Sequence, residues 1–165
     1  MNARKTVRAG IVGAGFAASF HYEAIHKVHG ANVEVQGVHA LDRAEEYAQA
    51  RGIEVMPSLE ALIERSDVLH VCTTASSHEE IAVKALAADR FVIVEKPLTG
   101  YFGDGTEQFH GERFPKTVAL EQALASIERM LAAERKSKGR ILYAENLVYA
   151  PSIQKEREIL EKTGA

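Results

Sequence analysis

Only one cysteine, Cys72, occurs in the 165 residues. No intrachain disulfide can form, and nothing in the cysteine content points to an oxidising compartment. Long apolar runs are also missing. After the polar, basic start Met1-Asn2-Ala3-Arg4-Lys5, the run Ile11-Val12 is interrupted by glycine, too short for a signal h-region or a membrane span. Positive charge is not in excess. Lys and Arg total 20 against 23 Asp and Glu, a net charge of -3, and they are spread along the chain instead of forming the basic stripe that nucleic acid requires. Internal repeats and low-complexity tracts are absent too. The expectation is a cytoplasmic protein that binds neither nucleic acid nor membrane.

What is present fits one globular domain: 46% hydrophobic and 26% charged residues, with enough apolar content for a core. Short apolar runs alternate with helix-period stretches, the pattern of parallel βαβ units. Six strands are expected, at Val7–Val12, Val33–Val38, Glu54–Met56 (a weak one), Asp67–Val71, Phe91–Val94 and Ile141–Ala144. Helices are expected over Ala17–Val28, with Ala18, Ile25 and Val28 inward, and over Arg43–Ala50. Others follow Pro57-Ser58 and Ser77, and Ile81, Ala85 and Ala88 share one face of the latter. A long one spans Thr117–Lys136 with Leu120, Leu124, Ile127 and Leu131 on one face, and a last one starts at Pro151. Asp42 with Glu45, and Ser77 with Glu80, have capping-box spacing. The fold class is α/β, a doubly wound Rossmann-type, mostly parallel sheet with helices on both faces. Leu98 to Lys116 reads as a long loop, functional or interfacial.

The chemistry begins at Gly10-Ile11-Val12-Gly13-Ala14-Gly15-Phe16-Ala17-Ala18. Gly13 permits a tight strand-to-helix turn, Gly15 removes a side chain that would hold a pyrophosphate away from the backbone, and Ala18 allows close helix–strand packing. The helix N-terminus behind them offers N–H groups and partial positive charge to phosphates. A second signal, Glu95-Lys96-Pro97, follows a strand directly. In open α/β sheets the ligand crevice lies beyond the carboxyl ends of the strands, so Lys96 is expected near it.

These pieces, with Val71-Cys-Thr-Thr-Ala-Ser-Ser-His78 and Tyr143-Ala-Glu-Asn-Leu-Val-Tyr-Ala-Pro151, resemble the glucose–fructose oxidoreductase/inositol dehydrogenase/rhizopine-catabolism (Gfo/Idh/MocA) family over essentially the whole chain. The resemblance implies an NAD(P)-dependent oxidoreductase acting by hydride transfer on a sugar, an inositol or a related polyol or carbonyl. It implies that Gly13, Gly15, Phe16 and Ala17 lie at the pyrophosphate and that Thr73 and Thr74 line the nicotinamide side. His78 would lie near the cofactor and Glu95 beside the nicotinamide. Lys96 is the implied catalytic residue, reaching the reacting oxygen. At the adenosine ribose stands Ala40, where NAD-preferring members often have an acid. Asp42 comes two residues late and equally suits a helix cap, while Arg43 could pair with a 2′-phosphate. NAD and NADP both stay open.

Residues 1–150 are expected to form the cofactor domain. Residues 151–165 would begin a connecting helix to a substrate domain that is absent here, leaving this chain inactive alone, as a fragment or a naturally short protein. Ile141, Leu147, Val148 and Ile153 would then be uncovered and favour self-association. A stand-alone dinucleotide-binding sensor or scaffold is the alternative. His21, His26 and His29 read as ordinary helix histidines without a metal, and Cys72 as a small core residue. Phe102, Phe109 and Phe114 read as loop anchors, and Glu156, Arg157, Glu158, Glu161 and Lys162 as a solvated helix face.

Overall fold

The computed structural model describes residues 5–103 and 109–164. Strands β1 (Thr6–Val12), β2 (Asn32–His39), β3 (Val68–Val71), β4 (Phe91–Glu95) and β5 (Ile141–Ala144) form one parallel sheet in the order β2-β1-β3-β4-β5. Helices α1 (Phe16–Ile25), α2 (Ala44–Gln49), α3 (Leu59–Arg65), α4 (His78–Ala87), α5 (Lys116–Lys136) and α6 (Pro151–Thr163) complete the chain. The doubly wound Rossmann expectation holds. Because β2 lies on one side of β1 and β3 on the other, the sheet has a switch point at β1/β3, where such folds open a ligand crevice.

Side chains alternate across the pleat, so each strand feeds two cores. Leu69 and Val71 of β3 join Val92 and Val94 of β4 against Leu62 of α3, Ile81, Ala85 and Leu86 of α4, and Met130 of α5. On the opposite face, Ala9, Ile11 and Val38 meet Ala18 and Ile25 of α1 and Tyr47 and Ala48 of α2.

Several local expectations need correction. Glu54–Met56 is not a sixth strand. Only Val55 bridges to Val38, because Pro57 lacks the N–H that would extend the ladder and α3 starts two residues later. The Asp42/Glu45 capping box does not form. The N-cap of α2 is Arg43, in the left-handed region at φ 53°, with no side-chain cap bond. Nor does Ser77 cap α4. A 3-10 turn over Ala75–Ser77 precedes the helix, and Ser77 Oγ lies 2.8 Å from Thr73 Oγ1 and 2.9 Å from the Thr74 carbonyl. Ser58 is a true cap, accepting from the Ala61 N–H at 3.1 Å. Val28 falls beyond the end of α1 and is exposed. In α5, Leu120 and Leu124 are exposed, whereas Ser126 and Met130 are buried. The apolar spacing therefore continues past the stretch where α5 lies on the core.

Phe109 and Phe114 stack with Tyr101, with ring centroids 4.9–5.4 Å apart, while Phe102 is exposed. Part of that expected loop, residues 104–108, lies outside the described residues. The polar face of α6 is laced by Lys155–Glu158, Arg157–Glu161 and Lys162–Glu158 ion pairs, as its charge pattern predicts. Among the described residues no helix is long and apolar enough to cross a membrane.

Candidate dinucleotide site

The glycines at the end of β1 serve two separate ends. Gly13 has φ +104°, and a Cβ there would come within 2.7 Å of the Cys72 carbonyl oxygen, so the fold itself needs glycine. Its N–H donates to the His39 carbonyl at 2.8 Å, and the Cys72 N–H donates to Val12 at 2.9 Å, knitting the ends of β1, β2 and β3 together. Gly15 is different. Its backbone is extended, at φ -90°, and a Cβ there would meet no atom within 4 Å. Neither conformation nor internal packing demands glycine at 15. Gly15 is also the N-cap of α1, and no side chain caps that helix. Its first N–H groups are left without a side-chain cap at the positive end of the helix dipole, a ready anion site.

This turn borders a cavity of about 810 Å³ that also takes in His39, Ala40, Asp42, Arg43, Thr73 and Thr74. On its rim Lys84 pairs with Glu60 and Glu80. A second cavity, about 530 Å³, lies on the α1 side of β4 and is lined by Phe16, Ala17, Phe20, His21, Glu95, Lys96 and Tyr149. Phe16 and Phe20 stack edge-to-face at 4.6 Å on its wall, both exposed. His21 Nε2 is 3.0 Å from Glu95 Oε1, and His21 Nδ1 is 2.8 Å from His70 Nδ1. Glu95 Oε2 accepts the Lys96 N–H at 3.1 Å. Burial, with His21 alongside, lowers the His70 pKa to about 3.

A family model described as "Oxidoreductase family, NAD-binding Rossmann fold" (GFO_IDH_MocA) matches residues 7–114, well over half of the chain. The protein belongs to this family. Inositol 2-dehydrogenase of Pseudarthrobacter chlorophenolicus is 34% identical over 104 residues, covering 58% of this chain and 29% of that protein. Inositol 2-dehydrogenase 1 of Paenarthrobacter aurescens is 33% identical over 126 residues, 73% of this chain and 34% of that protein. The WlbA dehydrogenase of Bordetella pertussis, solved with NADH and UDP-GlcNAcA, superposes with a TM-score of 0.73 at 22% identity, over 98% of this chain and 42% of its own. The chain thus spans about a third of the length of those inositol dehydrogenases.

The Gfo/Idh/MocA domain is an NAD-binding domain, and the residues present here fit the cofactor. The open space above Gly15 and the uncapped start of α1 suit a pyrophosphate, and cavities on either side of that helix end leave room for the two nucleosides. Of the residues expected around it, Gly13, Gly15, Ala40, Arg43, Thr73 and Thr74 line one cavity and Phe16, Ala17, Glu95 and Lys96 the other. His78 does neither. It is 1% exposed, and its ring nitrogens lie 3.0 Å from the Pro97 carbonyl and 3.3 Å from the Thr73 carbonyl. His78 therefore ties together the two loops that carry Thr73 and Lys96 instead of lining the crevice. Cys72 is buried beneath the turn, and its burial pushes the thiol pKa up, away from reactive range.

His21 is no ordinary helix histidine, since it reaches across to β3 and β4. His70 carries no motif and was not singled out from the sequence. The only available hint was a histidine inside an otherwise aliphatic strand. Among the described residues no group of three or more His, Cys, Asp or Glu converges as a metal site.

Proposed function

We propose that the protein is the cofactor-binding half of an oxidoreductase that moves a hydride between NAD(P) and a sugar, an inositol or a related polyol or carbonyl. Residues 1–150 form the cofactor domain, and residues 151–165 open a connecting helix toward a substrate domain. The observation that carries the reading is Gly15, a glycine that no internal contact or backbone angle requires, set at an uncapped helix start. Only an external group approaching the backbone gives it a purpose.

When bound, the nicotinamide supplies the hydride acceptor or donor. The protein's part is to position and to stabilise. Lys96 lines the cavity shared with Glu95, and its ammonium would offset negative charge developing on the reacting oxygen. Phe16, Phe20 and Tyr149 give that cavity apolar walls. The helix α6 has no buried side chain, in keeping with a connector whose apolar positions meet a further domain. With Ala40 in place of an acid and Arg43 on the same cavity, NADP binds as well as NAD within about tenfold.

Calorimetric titration with NAD and NADP, oxidised and reduced, tests the cofactor half of this reading. Heat of binding to none of the four would refute it. An NAD preference above about a hundredfold would instead show that Asp42 or another acid reaches the ribose.

A further inference from the structure

Beneath the Lys96 cavity runs a chain of three side chains that nucleotide binding does not explain. Strand β3 reads Val68-Leu69-His70-Val71, and the pleat turns Leu69 and Val71 toward α4 and His70 toward α1. There His70 is 8% exposed and meets His21 edge-to-face, with ring planes at 89° and Nδ1 atoms 2.8 Å apart. His21 continues to Glu95 through Nε2, and the second Glu95 oxygen accepts the backbone N–H of Lys96.

Proton placement restricts this chain sharply. A carboxylate only accepts, so His21 must carry its proton on Nε2 to bond Glu95. A hydrogen bond between two ring nitrogens holds one proton, so a His21 ring whose single proton sits on Nε2 is bare at Nδ1 and needs a donor there. Burial among aliphatic neighbours keeps His70 uncharged across the ordinary pH range, with a single proton to place. The acceptor facing it determines that this proton sits on Nδ1.

We propose that His70 is a positioning residue for the Lys96 cavity. By donating from Nδ1 it fixes His21 as the Nε2–H tautomer, and His21 in that form clamps the Glu95 carboxylate against the Lys96 backbone. The consequence for hydride transfer rests on the dehydrogenase reading, whereas the proton arrangement does not. Removing His70 leaves His21 free to carry its proton on either nitrogen. In the Nδ1–H form the ring presents a bare Nε2 to a carboxylate, and Glu95 loses its partner.

Imidazole nitrogens are distinguished by long-range proton–nitrogen NMR correlations in the isotopically labelled chain near neutral pH. The expected spectrum has His21 protonated on Nε2 and bare on Nδ1, and His70 protonated on Nδ1. His70→Leu should yield mixed His21 tautomers and shift the Lys96 amide resonance. His70→Asn, whose side-chain N–H can stand in for Nδ1, should restore both. His21 protonated on Nδ1, or His70 on Nε2, overturns the proposal in the unmodified chain, without any variant. So does a His21 tautomer that ignores His70→Leu. NAD titration of the same samples reports separately on function. Correct tautomers in a chain that does not bind NAD would sink the dehydrogenase reading and leave the role of His70 intact.

Discussion

Gly13 and Gly15 sit two residues apart yet answer to different constraints, and substitution separates them. Gly13→Ala places a Cβ against the Cys72 backbone at positive φ and should destabilise the fold. Gly15→Val meets no internal atom, so the chain should fold with a near-native melting temperature. Its dinucleotide affinity should nonetheless fall more than about tenfold, roughly 1.4 kcal/mol, by calorimetry. Unchanged affinity would remove the phosphate from this turn. His70 supports a second residue-scale prediction, in pH. Its folded pKa is lowered from 6.5 to about 3, so below 6.5 the unfolded chain binds a proton that the folded one refuses. Stability that is full above 6.5 is lost progressively down to about 3, with a slope approaching ~1.4 kcal/mol per pH unit from this residue. Asp67, held down to about 2 by its hydrogen bonds to Arg8, adds its own loss only below its ordinary 3.8. Denaturant titrations from pH 7 to 4 should therefore show a flatter profile for His70→Leu than for the parent chain. Equal slopes would mean that His70 is protonated in the folded state.

At the scale of elements, strand and helix periods were readable because each buries a face: Ala9 and Ile11 alternate with Gly10 and Val12, and Ile81 and Ala85 recur at helical spacing, although Ala88, expected on the same face, is exposed at the end of α4. What the residues could not convey was where an element's apolar stripe stops touching anything. Leu120 and Leu124 carry the same spacing as Ile127 and Leu131, but only the later part of α5 lies on the core, its Arg129 bonded to Glu79 of α4. Helix starts misled for a related reason. Asp42 and Ser77 have the right spacing to cap, yet Arg43 adopts the cap geometry in one case and a 3-10 turn intervenes in the other. The glycine turn was legible because its motif is contiguous, whereas the His21–His70–Glu95 chain spans separations of 49 and 74 residues that only the sheet order brings together. Ser58 gives the element-scale test. It is the side-chain cap of α3, the helix that covers Gly10 and Leu69, so Ser58→Ala should cost about 1 kcal/mol in chemical denaturation. Ser77→Ala, which breaks no cap bond to α4, should cost less.

At the scale of the whole molecule, the two faces of the sheet are unequally covered. On one face α3, α4 and α5 bury β3 and β4, with Leu69, Val71, Val92 and Val94 inaccessible. Toward β5 and beyond, large apolar side chains remain in solvent: Leu142, Tyr143, Leu147, Val148, Tyr149 and Ile153, with Phe16 and Phe20 across the Lys96 cavity. Ile141 is the exception to the expected set, partly buried against the α5 core. Exposed large apolar side chains in this number favour association. The purified 165-residue chain should therefore form dimers or larger species in light scattering, and Leu147→Ser with Tyr149→Ser should shift it toward monomer. The same surface bears on catalysis. Hydride transfer depends on holding the substrate carbon at near-attack distance from the nicotinamide, and that positioning supplies a large part of the rate. Here Lys96 and the Glu95 clamp furnish one wall, while the opposite side of the cavity is open to the exposed aromatics. The chain should accordingly bind NAD yet fail to oxidise inositols or sugars, or to reduce their keto forms, when the reduced dinucleotide is followed by absorbance. Turnover on the order of 1 per second or faster would show that this one domain already encloses its substrate. Loss of that turnover on dilution to the monomer would then mean that a second copy supplies the missing wall.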